Sequence, residues 1–185
     1  MLHDIDMRKA LLSEIAAESP DSRVVPEMVI CGGDSRVDIA TIGESQLWGY
    51  EIKSDVDKLD RLGLQRECYD KTFDKIIIVV GKKYESVIKE LVSPWWGIYV
   101  VTAADGGIVI NHKREPVENP HLETSSMLEL LWRDELKLFL TDRGFTCLSK
   151  KNKKMLRMLV VENISPEDIH DYCVSTLRSR EDWRS

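Results

Sequence analysis

The chain has 185 residues, 43% of them hydrophobic, and a formal net charge of -6. That length and apolar content suffice to bury a sizeable core, most simply as one domain with an appendage. The acidic balance excludes a protein that coats nucleic acid or membrane by bulk attraction, so any site for a polyanion must be local.

Residues 5–18 place Met7, Leu11 and Ile15 at helical spacing before "SPDS" breaks the pattern. "RVVPEMVI" (23–30), "RVDIATI" (36–42) and "LWGYEIK" (47–53) read as a three-strand meander joined by "CGGDS" and "GESQ". Asp55 is the expected N-cap of a helix over 55–73, whose apolar face carries Leu59, Leu62, Cys68 and Phe73 despite Gly63. "KIIIVVG" (75–81) is apolar throughout, as in a strand covered on both faces. A short helix follows over 84–92, and Trp95 and Trp96 of "SPWWG" are expected to pack in the core. "GIYVVT" and "IVINHK" then flank a "DGG" turn as a hairpin.

The polar, two-proline stretch 111–124 has no periodicity and marks a linker or long loop. Beyond it, Ser126 and Glu129 suggest a capping box for a helix over "MLELLWRDELKLFL". Ser165, Pro166 and Asp168 start a final helix with Ile169, Cys173 and Leu177 on one face. The expected architecture is α/β. Residues 1–112 form a mixed central sheet flanked by helices, 113–124 a linker, and 125–185 a helical C-terminal extension.

Cys31, Cys68, Cys147 and Cys173 form no CxxC pair, so neither a zinc ribbon nor a disulfide framework is suggested, and they read as small core residues. The acidic N-terminus is not a signal peptide, and no segment reaches the roughly 18 apolar residues of a membrane helix. The expectation is a cytoplasmic protein with no membrane partner. His3, His112, His121 and His170 show neither HExxH nor H-x3-H spacing and read as surface residues.

The stretch "GYEIKSD" alternates like a strand, with Glu51 and Lys53 on one face. If the preceding turn is centred between Glu44 and Ser45, antiparallel partners have numbers summing to 89, which places Asp38 opposite Glu51. Their Cβ atoms would then lie roughly 4.5–5.5 Å apart. Two carboxylates that close repel unless a cation lies between them or one takes up a proton. A hard divalent ion such as Mg²⁺ answers that demand, and Lys53 can orient or deprotonate a water, or offset charge on a phosphate. The plainer alternative is a solvated hairpin face on which Lys53 neutralises its acidic neighbours. On the next helix Arg61, Gln65 and Tyr69 repeat every four residues as a polar stripe, either turned to this site or simply exposed.

Taken in order, the helix with Glu14, Val37-Asp38, Glu51-Ile52-Lys53 and Gln65-Arg66-Glu67-Cys68-Tyr69 resemble the PD-(D/E)XK, or restriction-endonuclease-like, nuclease superfamily over about residues 5–81. The Gln-x3-Tyr element resembles its RecB-like and Cas4-like branches. "VDIATI", "LWGYEIKSDVDKLDRL", "PWWGIYVV" and "LLWRDELKLFL" resemble, nearly along the full chain, an uncharacterised bacterial and phage family assigned to restriction-like nucleases. The resemblance implies that Asp38, Glu51 and the Ile52 carbonyl ligate Mg²⁺ or Mn²⁺, that Glu14 is the accessory acid of the first helix, and that Lys53 is catalytic with Gln65 and Tyr69 beside it. Val37 stands where the superfamily name has proline, and the histidine of the Cas4 branch has no counterpart.

Residues 143–161 hold six basic side chains, Arg143, Lys150, Lys151, Lys153, Lys154 and Arg157, and no acid. Together with Arg61 they are candidates for nucleic-acid contact, the alternative being a solvated helix start. The functional expectation is a metal-dependent nuclease acting on DNA, duplex or single-stranded. The alternatives are a non-catalytic nucleic-acid-binding module on the same fold, or a nuclease subunit active only in a larger complex. A homo-oligomer or a protein partner is compatible with either.

Overall fold

The computed structural model describes residues 2–104, 107–181 and 183. Six strands form one mixed sheet in the order of the chain: β1 (Arg23–Ile30), β2 (Ser35–Ile42), β3 (Leu47–Lys53), β4 (Lys75–Gly81), β5 (Gly97–Ala104) and β6 (Gly107–Arg114). The first three are antiparallel, β4 runs parallel to both β3 and β5, and β6 returns antiparallel to β5. The expected "DGG" turn includes residues 105–106, which lie outside the described residues.

Helices cover both faces. On one face α1 (Asp4–Glu18) lays Met7, Leu11 and Ile15 over Ile39, Tyr50, Ile52, Ile77, Val79, Tyr99 and Val101. The other face carries α2 (Leu62–Thr72) and the later helices, packed on Ala40, Ile42, Leu47, Ile76, Ile78, Val80, Ile98 and Val100. β4 supplies apolar side chains to both clusters, as its unbroken apolar run requires. Trp95 and Trp96 are buried in the second.

The helix expected from Asp55 starts only at Leu62. Asp55 accepts instead from the Leu2 and Lys83 N–H groups, and Asp57 Oδ2 accepts from the backbone and hydroxyl of Ser54 at 2.8 and 2.6 Å. Short acidic side chains that bond neighbouring backbone compete with helix in this way. Asp55 also packs so closely on the end of β4 that a Cβ at Gly81 would lie 2.2 Å from its carboxylate oxygen.

A short helix, α3 (Ile88–Leu91), links β4 to β5. The expected helix over residues 127–140 is broken into α4 (Thr124–Met127), a 3-10 turn over Leu128–Leu130, and α5 (Arg133–Thr141). No Ser126–Glu129 capping box forms. Leu131 is extended, which lets Leu128, Leu131 and Leu136 all bury, and Glu135 takes the capping part by accepting the Trp132 N–H at 2.6 Å. Then come α6 (Lys153–Asn163), capped by Asn152, and α7 (Pro166–Ser179), capped by Ser165, with Ile169, Cys173 and Leu177 buried as their spacing implies. Of the cysteines only Cys173 is fully buried, and Cys147 is exposed. No helix among the described residues is long and apolar enough to cross a membrane.

The stretch expected as a linker is ordered. Residue 113 lies inside β6, Val117 donates its N–H to Trp95, and Asn119 bonds the carbonyls of Asp70, Phe73 and Asp74. The apolar side chains of α4 to α7 join the same cluster as the sheet. Asp74 ties these layers together: its Oδ2 accepts the Leu47 N–H at 2.7 Å, and its Oδ1 lies 2.8 Å from His170 Nε2 on α7.

The hydrogen bond to Asp74 is the main cause that raises the His170 pKa above its ordinary value. A folded-state pKa above the unfolded one gives stabilisation that is complete below the ordinary histidine range and is lost as pH rises through the folded value. His170→Gln should therefore lower the unfolding free energy by about 1–2 kcal/mol at about pH 5.5, and by much less at about pH 8.5. Urea midpoints read this out; equal losses at both pH values would show that the charged imidazole contributes nothing.

Candidate functional site

The β2–β3 ladder runs from Ile42↔Leu47 to Ile39↔Tyr50, with every pair summing to 89, and ends one step short of the expected Asp38–Glu51 pair. Asp38 Oδ2 accepts the Ile52 N–H at 2.8 Å, a side chain taking the place of the strand partner. On the other side of β2 the pairs Pro26↔Ile39 and Met28↔Val37 leave Glu27 and Asp38 unpaired, and Glu27 has φ 54. Burial changes phase at the same point. Val25 and Met28 both face the helix-rich cluster, and Val37 packs there while Ile39 packs under α1. A left-handed glutamate costs about 1–2 kcal/mol. Its carboxylate is held by Arg36 at 2.7 Å and Arg8 at 3.2 Å.

Glu51 points to the face covered by α2 and is only 2% exposed. Its Oε1 lies 2.7 Å from both Lys53 Nζ and Gln65 Nε2, and Tyr69 donates its hydroxyl proton to Oε2 at 2.6 Å. Burial raises the Glu51 pKa and the Asp38 charge adds to this, while Lys53 and Tyr69 oppose it. Burial likewise keeps the Tyr69 phenol protonated, hence a donor. The Asp38 pKa is also raised by burial, against the Ile52 N–H and the Arg8 charge.

Asp38, Glu51, Ile52, Lys53, Arg61 and Gln65 line one pocket of about 350 Å³, joined by Asp4, Asp34, Arg36 and Asp57. Of the expected polar stripe, Arg61 and Gln65 line this pocket, whereas Tyr69 lies in the core and reaches it only through its bond to Glu51. Its ring is fully buried, 6.0 Å from Phe73 and 5.8 Å from Trp96. Carboxylate oxygens in such a pocket are of the type that suits a hard cation.

Glu14 is elsewhere. It sits 2.8 Å from His112 Nε2 on β6, and Glu14, Glu18 and His112 bring ligand-type atoms within 4.8 Å of one another. Burial acts to lower the His112 pKa, but hydrogen bonds to the Glu14 and Glu115 carboxylates raise it overall. The physical reason for the displacement is helix rise. Glu14 lies ten residues beyond Asp4, about 15 Å along the axis, and it is Asp4 at the first turn that lines the pocket, while Arg8 bonds Asp38.

The basic segment does not line this pocket. Lys150 and Lys154 are exposed and Lys151 half-buried, whereas Lys153 donates to the Glu129 carbonyl and Arg157 pairs with the Glu129 carboxylate, both at 2.8 Å. Lys153 does line a separate groove of about 700 Å³ between β1 and the C-terminal helices, which Arg36 shares. Sequence reasoning missed Arg8, Arg36, Asp4, Asp34 and Asp57. For Arg8 the signal was present as an i,i+4 pair with Asp4 on the first helix.

Residues 6–185 match the family described as Bacteriophage P4 protein cII. The curated relative "Protein cII" of Enterobacteria phage P4 is 26% identical over 160 residues, which is 86% of this chain. The chain spans 60% of the length of that relative. No solved structure is matched.

Tyr69 can be divided by substitution. Tyr69→Phe should cost about 1–3 kcal/mol, since Glu51 loses a buried donor, and Tyr69→Ala about 3–5 kcal/mol, since the core loses a ring as well. Equal urea midpoints for wild type and Tyr69→Phe would separate the phenol from the Glu51 carboxylate.

Proposed function

The chain belongs to the Bacteriophage P4 protein cII family, and we propose that it is a metal-dependent nuclease, with a restriction-endonuclease-like core that hydrolyses DNA phosphodiester bonds at the Asp38–Glu51–Lys53 pocket. The observation that carries the reading is convergence. Two carboxylates, a lysine and an amide, drawn from β2, β3 and α2, line one pocket, with a phenol bonded to Glu51 from the core, in the order and spacing by which the sequence resembles the PD-(D/E)XK superfamily.

Asp38, Glu51 and the Ile52 carbonyl hold Mg²⁺ or Mn²⁺, which supplies polarisation of a phosphate oxygen and an acidified water. Lys53 shares a strand face with Glu51 and orients the attacking water or offsets the charge gathering on phosphorus. Gln65 and Tyr69 fix the Glu51 carboxylate in orientation. Arg61 and Arg36, at the rim, take phosphate oxygens. Lys150, Lys151, Lys153, Lys154 and Arg157 extend the contact with the DNA backbone, which positions without reading sequence.

One observation favours the second reading, a nucleic-acid-binding module without catalysis. Both carboxylates already have protein cations, Arg8 on Asp38 and Lys53 on Glu51. The two readings part in an assay on linear, circular, single-stranded and branched DNA with Mg²⁺ or Mn²⁺. The nuclease cleaves; Asp38→Asn removes cleavage and metal binding together, and Lys53→Ala lowers turnover by about 100-fold or more with metal still bound. Wild-type turnover in Lys53→Ala removes the catalytic assignment, and DNA binding without cleavage under any of these conditions establishes the binding module.

A further inference from the structure

Arg8, on the second turn of α1, does not line the pocket but bonds Asp38, which does, and the metal-site reading gives it no part. Its Nη2 lies 2.9 Å from Asp38 Oδ1, and its Nη1 donates to the Asp38 carbonyl at 2.9 Å. The same guanidinium lies 3.2 Å from Glu27 Oε1 and 3.3 Å from Asp4 Oδ2. Three acids from three elements thus surround one side chain that is 23% exposed. Glu27 meets Arg8 with its backbone at a positive φ of 54, and strain kept beside a charged cluster points to use.

Arginine cannot yield its charge by deprotonation. A divalent cation that takes the Asp38 carboxylate must therefore move the guanidinium or tolerate it. Glu27 and Asp4 offer it two other carboxylates within the same hydrogen-bonding reach, so it can leave Asp38 without becoming an unpaired cation. Lys53 stands in the matching position at Glu51, 2.7 Å from Oε1.

We propose that Arg8 is the internal counter-ion of the metal pocket: it neutralises Asp38 in competition with the divalent cation, and Glu27 and Asp4 retain it when the cation takes Asp38. The inference rests on the metal-site reading above and assigns Arg8 a positioning role through Asp38, with no contact to the reacting atoms.

The test is calorimetric titration of Mn²⁺ into wild type, Arg8→Met, Arg8→Gln, Arg8→Lys and Asp38→Asn, with thermal melts to confirm that each is folded. Met keeps the apolar stem of the side chain and Gln is a second neutral variant should Met fail to fold. Either neutral variant should bind Mn²⁺ about 10-fold more tightly, the scale by which one nearby opposite charge changes a carboxylate's affinity for a cation. Arg8→Lys, which keeps the charge, should stay close to wild type. Unchanged or weaker binding in a folded neutral variant overturns the proposal, because Arg8 would then only brace Asp38. Tightening in Arg8→Lys as large as in the neutral variants overturns it too, because charge would not be the cause. If wild type and Asp38→Asn bind Mn²⁺ equally, or neither binds, the metal-site reading itself fails, a result that does not involve Arg8 and takes the inference down with it.

Discussion

A carboxylate buried on the helix-covered face of a sheet must be paired and hydrogen-bonded or take up a proton, and Glu51 imposes that demand on everything around it. Lys53 meets it from the same strand, and Gln65 and Tyr69 meet it from α2. These bonds fix the rotation of α2 on the sheet. With the Tyr69 hydroxyl on Glu51, Leu62, Tyr69 and Thr72 turn inward, and Phe73 and Trp96 pack against the phenol ring. One core side chain thereby holds a carboxylate that lines the pocket.

The pocket exists because the sheet changes phase beside it. Regular pairing through Glu27 and Asp38 would keep one alternation along β1 and β2. Instead Glu27 turns left-handed, Val37 and Ile39 face opposite clusters, and the Asp38 carboxylate is free to cap the Ile52 N–H. Irregular strand geometry next to a functional site commonly re-aims a side chain in this manner. The C-terminal helices stabilise that edge from outside. Arg180 pairs with Glu135 at 2.6 Å, bonds the Leu130 carbonyl and lies over Trp132, while Arg23 on β1 reaches the Arg178 carbonyl at 2.8 Å.

Much of this was legible in local pattern. The alternation of β3 and the turn before it set a register that brings Asp38 and Glu51 to one pocket, and the four-residue spacing brought Arg61 and Gln65 there too, while Tyr69 went into the core. Where reading failed, a side chain had found a distant partner. Asp55 and Asp57 have the chemistry of helix caps but bond Leu2, Lys83 and Ser54, so the helix starts later. Glu14, expected beside Asp38 and Glu51, is paired with His112, nearly a hundred positions away in sequence, and Lys153 and Arg157 each place one donor on Glu129.

The sequence by itself determined the order of strands and helices, the strand buried on both faces, the β2–β3 register and most of the polar residues that meet at the pocket. Periodicity and turn chemistry act over a few residues and need no knowledge of the rest. Only the tertiary structure decided that Arg8 rather than Glu14 comes to Asp38, that Glu27 leaves the strand alternation, and that the C-terminal helices share the core of the sheet. Those outcomes depend on which surfaces meet when α1 and α4 to α7 dock, and a charge pairs with whatever packing brings within about 4 Å of it.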